Sequence, residues 1–136
     1  MSLVKKFKKE LKKMKTGLFV LGHGSQAQEA DEIFSNIVEM VMNITTFDLV
    51  GLGSLQISKP SFEEGIEDLV HRGAEHIVIV PMFIFQGNHV KYDIPEALEK
   101  IQAQYPAVKF TMAKHIGADA RIASIIEERA KVAMAG

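Results

Sequence analysis

Two of the five histidines in this chain stand where a ligand could be held. His23 lies inside Gly22-His23-Gly24-Ser25, directly after an apolar run at residues 17–22. His89 follows Gln86-Gly87-Asn88, just past the apolar run at residues 76–85. Glycines flank His23 on both sides and Gly87 precedes His89 closely, which permits sharp turns and lets a ligand approach the backbone. Imidazoles so placed suit two kinds of chemistry. Neutral ring nitrogens bind a divalent metal, and a group titrating near neutral pH serves as acid or base. The competing reading is two polar loop histidines satisfied by backbone carbonyls, and spacing alone leaves both open. The other three histidines divide by position. His115 follows the run at 108–113, whereas His71 lies late in a helical stretch and His76 opens an apolar run. For those last two a helix-end or surface role is expected.

The elements that must position these residues alternate. Residues 17–22 are wholly apolar, as in a strand buried on both faces, and residues 27–44 place Ile33, Ile37, Met40, Val41 and Ile44 at helical spacing. Residues 47–57 read as a second strand loosened by Gly51 and Gly53. Ser61 and Glu64 fit a capping box that opens a helix ended by Gly73. The run at 76–85 is the strongest strand signal, and Asp93 with Glu96 suggests a second capping box, Pro95 starting a helix through about Gln104. A fourth strand at 108–113 and a closing helix at 119–134 complete the order β-α-β-α-β-α-β-α. That order predicts an α/β fold: a four-stranded parallel sheet with helices on both faces. Ligands in such sheets bind outside the carboxyl ends of the strands, where His23, His89 and His115 fall. In the commonest small doubly wound order, strands one and three are neighbours, so His23 and His89 would converge on one crevice.

Composition narrows the chemistry. The 136 residues are 47% hydrophobic and 24% charged, as expected of one globular domain without linkers or repeats. There is no cysteine, which removes disulfides, thiolate metal sites and cysteine nucleophiles together. No apolar run approaches the ~20 residues needed to span a bilayer and no signal peptide pattern is present, so a cytoplasmic location and no membrane insertion are expected. Residues 1–15 carry seven lysines against Glu10, a local charge of +6, which leaves -7 on the remainder. An acidic body with a basic arm does not resemble a nucleic-acid-binding surface. In that arm Val4, Phe7, Leu11 and Met14 form a narrow apolar stripe, read as a basic amphipathic extension. Gly22-His23-Gly24-Ser25 is neither a hydrolase elbow nor a nucleotide loop, because Ala27 stands where those patterns continue with glycine. It retains the capacity to cradle an anion at the start of the next helix.

Several segments together resemble the small, single-domain sirohydrochlorin cobaltochelatases, members of the class II tetrapyrrole chelatases. They are Leu21-Gly22-His23-Gly24-Ser25, Pro60-Ser61-Phe62, Pro81-Met82-Phe83 with Gly87-Asn88-His89, Asp93-Ile94-Pro95 and His115-Ile116-Gly117. The resemblance implies that residues 16–136 form a single chelatase-like lobe and that the chain inserts Co2+, with Ni2+ or Fe2+ as alternatives, into sirohydrochlorin. It further implies that His23 and His89 hold the metal and assist pyrrole deprotonation, with no organic cofactor. Imidazole suits that task, since it captures cobalt, nickel or ferrous ions yet releases them to four pyrrolic nitrogens. Ser25, Gln26, Asn88 and Lys91 are the expected donors to the carboxylates of the tetrapyrrole. One lobe covers only half of a macrocycle, so a homodimer is expected. One departure stands out: Gln56 occupies a position where the family commonly has glutamate, and glutamine accepts no proton. Either the two histidines suffice, or another carboxylate such as Asp93 assists. A metal or tetrapyrrole carrier without turnover is the alternative.

Overall fold

The computed structural model describes residues 2–6 and 14–136, with His89 represented by its backbone. Strands β1 (Thr16–Gly22), β2 (Leu49–Ser54), β3 (His76–Pro81) and β4 (Lys109–Met112) alternate with helices α1 (Gln28–Ile44), α2 (Phe62–His71), α3 (Asn88–Gln104) and α4 (Ala120–Ala135). All strand pairs are parallel and the order across the sheet is β2-β1-β3-β4, so the expected architecture holds. β1 and β3 are neighbours, as the convergence of His23 and His89 requires. Leu21 pairs with Pro81, which brings the carboxyl ends of both strands level.

Period-two alternation explains how both faces are covered. Phe19 and Leu21 of β1 and Ile77 and Ile79 of β3 point to one side, into a core with Phe62, Ile66 and Leu69 of α2 and Ile94 and Ile101 of α3. Val20 and Val50 point to the other side, against Val38 and Phe34 of α1. Close approach of α2 depends on Gly65. A Cβ there would lie 2.2 Å from the Leu52 carbonyl oxygen and 2.6 Å from the Phe19 ring. The predicted capping box is formed. Ser61 Oγ accepts the Glu64 N–H at 3.1 Å, and the Glu64 carboxylate accepts the Ser61 N–H at 3.0 Å. That backbone bond, helped by Lys59, draws the Glu64 carboxyl down to about 2.

Three expectations need correction. Helix α3 begins at Asn88 behind Gly87, so Gly87 rather than Asp93 stands at its N-cap and Pro95 lies inside the helix. Proline inside a helix forfeits its own N–H bond and crowds the carbonyl four residues back, and the apolar residues Val90, Ile94 and Ile101 hold the helix on the sheet across that defect. The second strand ends at Ser54, and the third at Pro81, so residues 55–58 and 82–86 become loops at the carboxyl edge. Helix α4 buries no residue, and Ile125, Ile126 and Val132 stand exposed along it. Of the basic arm, residues 3–6 are helical, while Phe7 and Leu11 of its stripe lie outside the described residues. Among the described residues no helix is long and apolar enough to cross a membrane.

Candidate functional site

β1 delivers His23 to the carboxyl edge of the sheet, where it turns into α1. The loop from Gly22 to Ser25 does not float. Leu55 N–H donates to the Gly22 carbonyl at 3.0 Å and Gln56 N–H donates to the His23 carbonyl at 3.1 Å. Gly24 takes φ +96°, and a Cβ there would fall 1.7 Å from the Gln56 carbonyl oxygen. No other residue type fits that position without moving the neighbouring loop. The exposed His23 imidazole meets the buried Phe83 ring edge-on, with centroids 5.9 Å apart and planes at 77°. Phe83 follows Met82, whose N–H donates to the Leu21 carbonyl at 2.8 Å. The exit of β3 is thereby fastened beside the exit of β1, and it leads on to the helix that carries His89.

His23 and Ser25 line one cavity of about 180 Å³, with Asp31 and Phe34 of α1, Ser54 of β2 and Met82 also on its wall. Ser25 Oγ accepts the Ala27 N–H at 3.0 Å, closing a turn at the start of α1 and leaving its own proton free for a ligand. The first turn of α1 holds Glu29 and Asp31. Carboxylates there occupy the positive end of the helix dipole. Gln26 and Asn88 are exposed. Lys91 faces a different cavity, of about 200 Å³, shared with Gln86, Lys114 and His115. His71 and His76 sit at the opposite edge of the sheet, His76 paired with the Thr111 hydroxyl at 2.8 Å. Desolvation, and secondarily Lys109, holds its imidazole below the ordinary value of 6.5.

Gln56 is exposed and shares a cavity of about 230 Å³ with Glu63, Asp93, Glu96 and Lys100. Three carboxylates, those of Glu63, Asp93 and Glu96, therefore share a wall with Gln56. Among the described residues no group of three or more histidine or acidic side chains is placed to hold a metal together.

Sequence reasoning missed several contributors. Phe83 was only part of a motif, and nothing in the chain order indicates that it abuts His23. Asp31 and Ser58 meet across 27 positions in a 2.7 Å hydrogen bond that only the folded chain creates. The exposed apolar side chains Ile57, Ile84, Phe85, Tyr92 and Ile116 rim the carboxyl edge, a surface suited to a flat, partly apolar ligand. Part of their signal lay in the predicted strands themselves, since Ile57, Ile84 and Phe85 close the apolar runs at 47–57 and 76–85.

Comparison with known proteins agrees with this fold. The CbiX family model matches residues 17–133. A sirohydrochlorin cobaltochelatase from Sulfolobus acidocaldarius is 37% identical over 118 residues, covering 87% of this chain and 92% of that protein. A sirohydrochlorin ferrochelatase from Bacillus subtilis is 30% identical over 118 residues, covering 87% of this chain. This chain spans only 45% of that ferrochelatase. The solved structure of the sirohydrochlorin chelatase SirB from Bacillus subtilis subspecies spizizenii, in complex with cobalt, superposes with a TM-score of 0.82 at 29% identity. The likeness covers 87% of this chain and 50% of that one.

Proposed function

The chain belongs to the CbiX family, and from that premise we propose that it is a chelatase inserting a divalent metal, Co2+ first, into sirohydrochlorin. One observation carries the reading: the His23 imidazole stands exposed over a cavity at the carboxyl end of β1, beside the strand whose exit leads to His89. His23 and His89 hold the incoming ion as neutral imidazoles. Two pyrrolic N–H protons leave as the metal enters, and an imidazole freed of metal accepts one near neutral pH. Ser25, Gln26, Asn88 and Lys91 donate to substrate carboxylates, and the apolar rim lies against the macrocycle. Ni2+ and Fe2+ are the competing ions, since relatives named for cobalt and for iron are both similar to this chain. Imidazole affinity follows the Irving–Williams order, so availability rather than binding selects among them.

The test is metal insertion followed by the change in the visible spectrum of the macrocycle. Wild type accelerates insertion of at least one of Co2+, Ni2+ and Fe2+, and equality with the uncatalysed rate for all three ends the proposal. His23→Ala and His89→Ala each reduce the rate at least about 10²-fold, the usual scale for a lost acid–base group, while His71→Ala does not. The carrier reading is favoured by Gln56, and it predicts metal binding at the two histidines with an unchanged insertion rate.

The working unit proposed is a homodimer, with residues 16–136 as the lobe and residues 1–15 as an extension. Its support is the exposed apolar stripe of α4 and the half-covered Val78 and Val80 on the sheet face shared with α1. Light scattering on the purified chain returns the mass of two copies. A concentration-independent single-chain mass rejects this part.

A further inference from the structure

We propose that Ser58 and Asp31 form a positioning pair that fixes the His23 loop and so sets where the imidazole meets its metal. The inference rests on the chelatase reading only in taking His23 as the group that needs positioning. Ser58 is 8% exposed, yet it belongs to a loop at the carboxyl edge and packs into neither core cluster. Its Oγ accepts the Ser25 N–H at 2.9 Å and lies 2.7 Å from Asp31 Oδ1 and 2.9 Å from the Ser25 carbonyl. A hydroxyl has one proton, and the carboxylate, as the charged acceptor, takes it. The chain of bonds therefore runs from the Ser25 backbone through Ser58 to the first turn of α1.

The loop is held at every step around the imidazole. Gly22 and His23 are bound through their carbonyls by Leu55 and Gln56, and Ser25 through its N–H by Ser58. The holding segment is itself closed, because Ser54 N–H donates to the Pro60 carbonyl at 3.0 Å and Ser61 opens the capping box of α2. Between Gln56 and Ser58, Ile57 adopts φ +64°, a conformation that a β-branched residue avoids unless its neighbours impose it. The Phe83 ring packs edge-on against the imidazole. Asp31 is not needed for the helix dipole, since Glu29 already supplies an acidic group in that turn. What the pair alone accomplishes is to join the loop that carries His23 to the helix that follows it.

The experiment uses the full chain and Co2+ alone as the binding probe, beside insertion kinetics. In Ser58→Ala and Asp31→Ala, kcat falls about tenfold while KM for the tetrapyrrole stays within about twofold, the signature of lost alignment rather than lost binding. Co2+ alone binds about tenfold more weakly by its visible absorption, and the His23 ring resonances in the NMR spectrum move, as for a ligand no longer held in place. Asp31→Asn keeps an acceptor oxygen for Ser58 and recovers most of the loss. Asp48→Ala is the control for simple destabilisation. It strips Thr16 of its partner at the opposite edge of the sheet and leaves all three readouts unchanged. The proposal is overturned if Ser58→Ala preserves Co2+ affinity and the His23 resonances, or if Asp48→Ala moves them equally. If Ser58→Ala does not fold, the half-exposed Asp31 variants decide alone. If wild type inserts no metal, the chelatase reading falls separately, and Co2+ titration with the His23 resonances still decides the clamp.

Discussion

Replacing Gly24 by alanine tests the rigidity of the His23 loop through one methyl group. The added Cβ would sit 1.7 Å from the Gln56 carbonyl oxygen, where real Cβ atoms keep at least 3.0 Å, so one of the two loops must retreat by roughly 1.3 Å. The residue is also held at φ +96°, which costs an L-residue about 1–2 kcal/mol. Retreat of either loop stretches the Gln56–His23 and Ser25–Ser58 hydrogen bonds, each contributing about 1 kcal/mol. The sum is a destabilisation of about 3–4 kcal/mol, or a fall in Tm on the order of 10 °C. Displacement of the imidazole by about 1 Å is expected to reduce metal insertion about 10²-fold. Thermal melting by circular dichroism and initial insertion rates with Co2+ measure the two effects. Gly87→Ala supplies the contrast. Gly87 has φ -69°, and a Cβ there meets nothing within 4 Å, so its variant keeps the wild-type Tm. If a ligand approaches that backbone, Gly87→Ala raises KM for the macrocycle alone. A Gly24→Ala protein that melts with wild type and keeps its rate within about threefold would refute the tethered loop, since the geometry requires both to change.

Two further predictions concern the scaffold. Gly65→Ala gains about 1 kcal/mol of helix propensity. It also drives a methyl group against the Leu52 carbonyl and the Phe19 ring, an overpacking that costs up to about 3 kcal/mol. A lower Tm with unchanged insertion per folded molecule is expected, and an unchanged or higher Tm contradicts the tight seat of α2. His76 governs part of the acid sensitivity. Its folded pKa lies below 6.5 while the unfolded chain has the ordinary value, so the fold resists protonation there. Its contribution is complete above the unfolded value and is lost as pH falls through the folded one. Denaturant titrations at pH 7.5 and 5.5 should show a smaller loss of stability in His76→Gln than in wild type, and parallel losses count against the assignment.

Much of the scaffold was legible because hydrophobic period and capping chemistry are local. The run at 17–22 announces a strand with no exposed face, and Ser61 with Glu64 announces where α2 begins. The start of α3 was not legible. Asp93, Glu96 and Pro95 satisfy the local rules for a helix start, yet the helix already runs from Asn88, because burial of Val90 and Ile94 outweighs the lost bond and the ring crowding at Pro95. That shift places His89 in the first turn of a helix rather than in a loop. Gly51 and Gly53, read as loosening β2, instead stand where Leu69 and Phe19 press against the strand. For the site, chain order and the topology rule were enough to bring His23 and His89 to one edge. The bonds that hold His23 join residues 25, 31 and 58, and no local pattern connects them.

The proposed reaction requires one crevice to receive partners of opposite charge, a dication and a polycarboxylate, and net charge alone handles this poorly. The body outside residues 1–15 carries -7, which attracts the ion and repels the macrocycle. Screening limits that field to about 8 Å at physiological salt, so what each partner meets is decided by the side chains nearest the mouth. Those side chains are segregated. At the β4 end Lys91, Lys114 and His115 share a wall, whereas at the β2 end Glu63, Asp93 and Glu96 gather beside Gln56 with Lys100. His23 lies directly after β1, which stands between β2 and β3 in the sheet. A macrocycle seated with its carboxylates toward β4 would leave the acidic flank open on the β2 side, from which a cation can reach the imidazole. On that arrangement glutamine at position 56 costs the approach of a cation little, because Glu63, Asp93 and Glu96 stand beside it on the neighbouring helices.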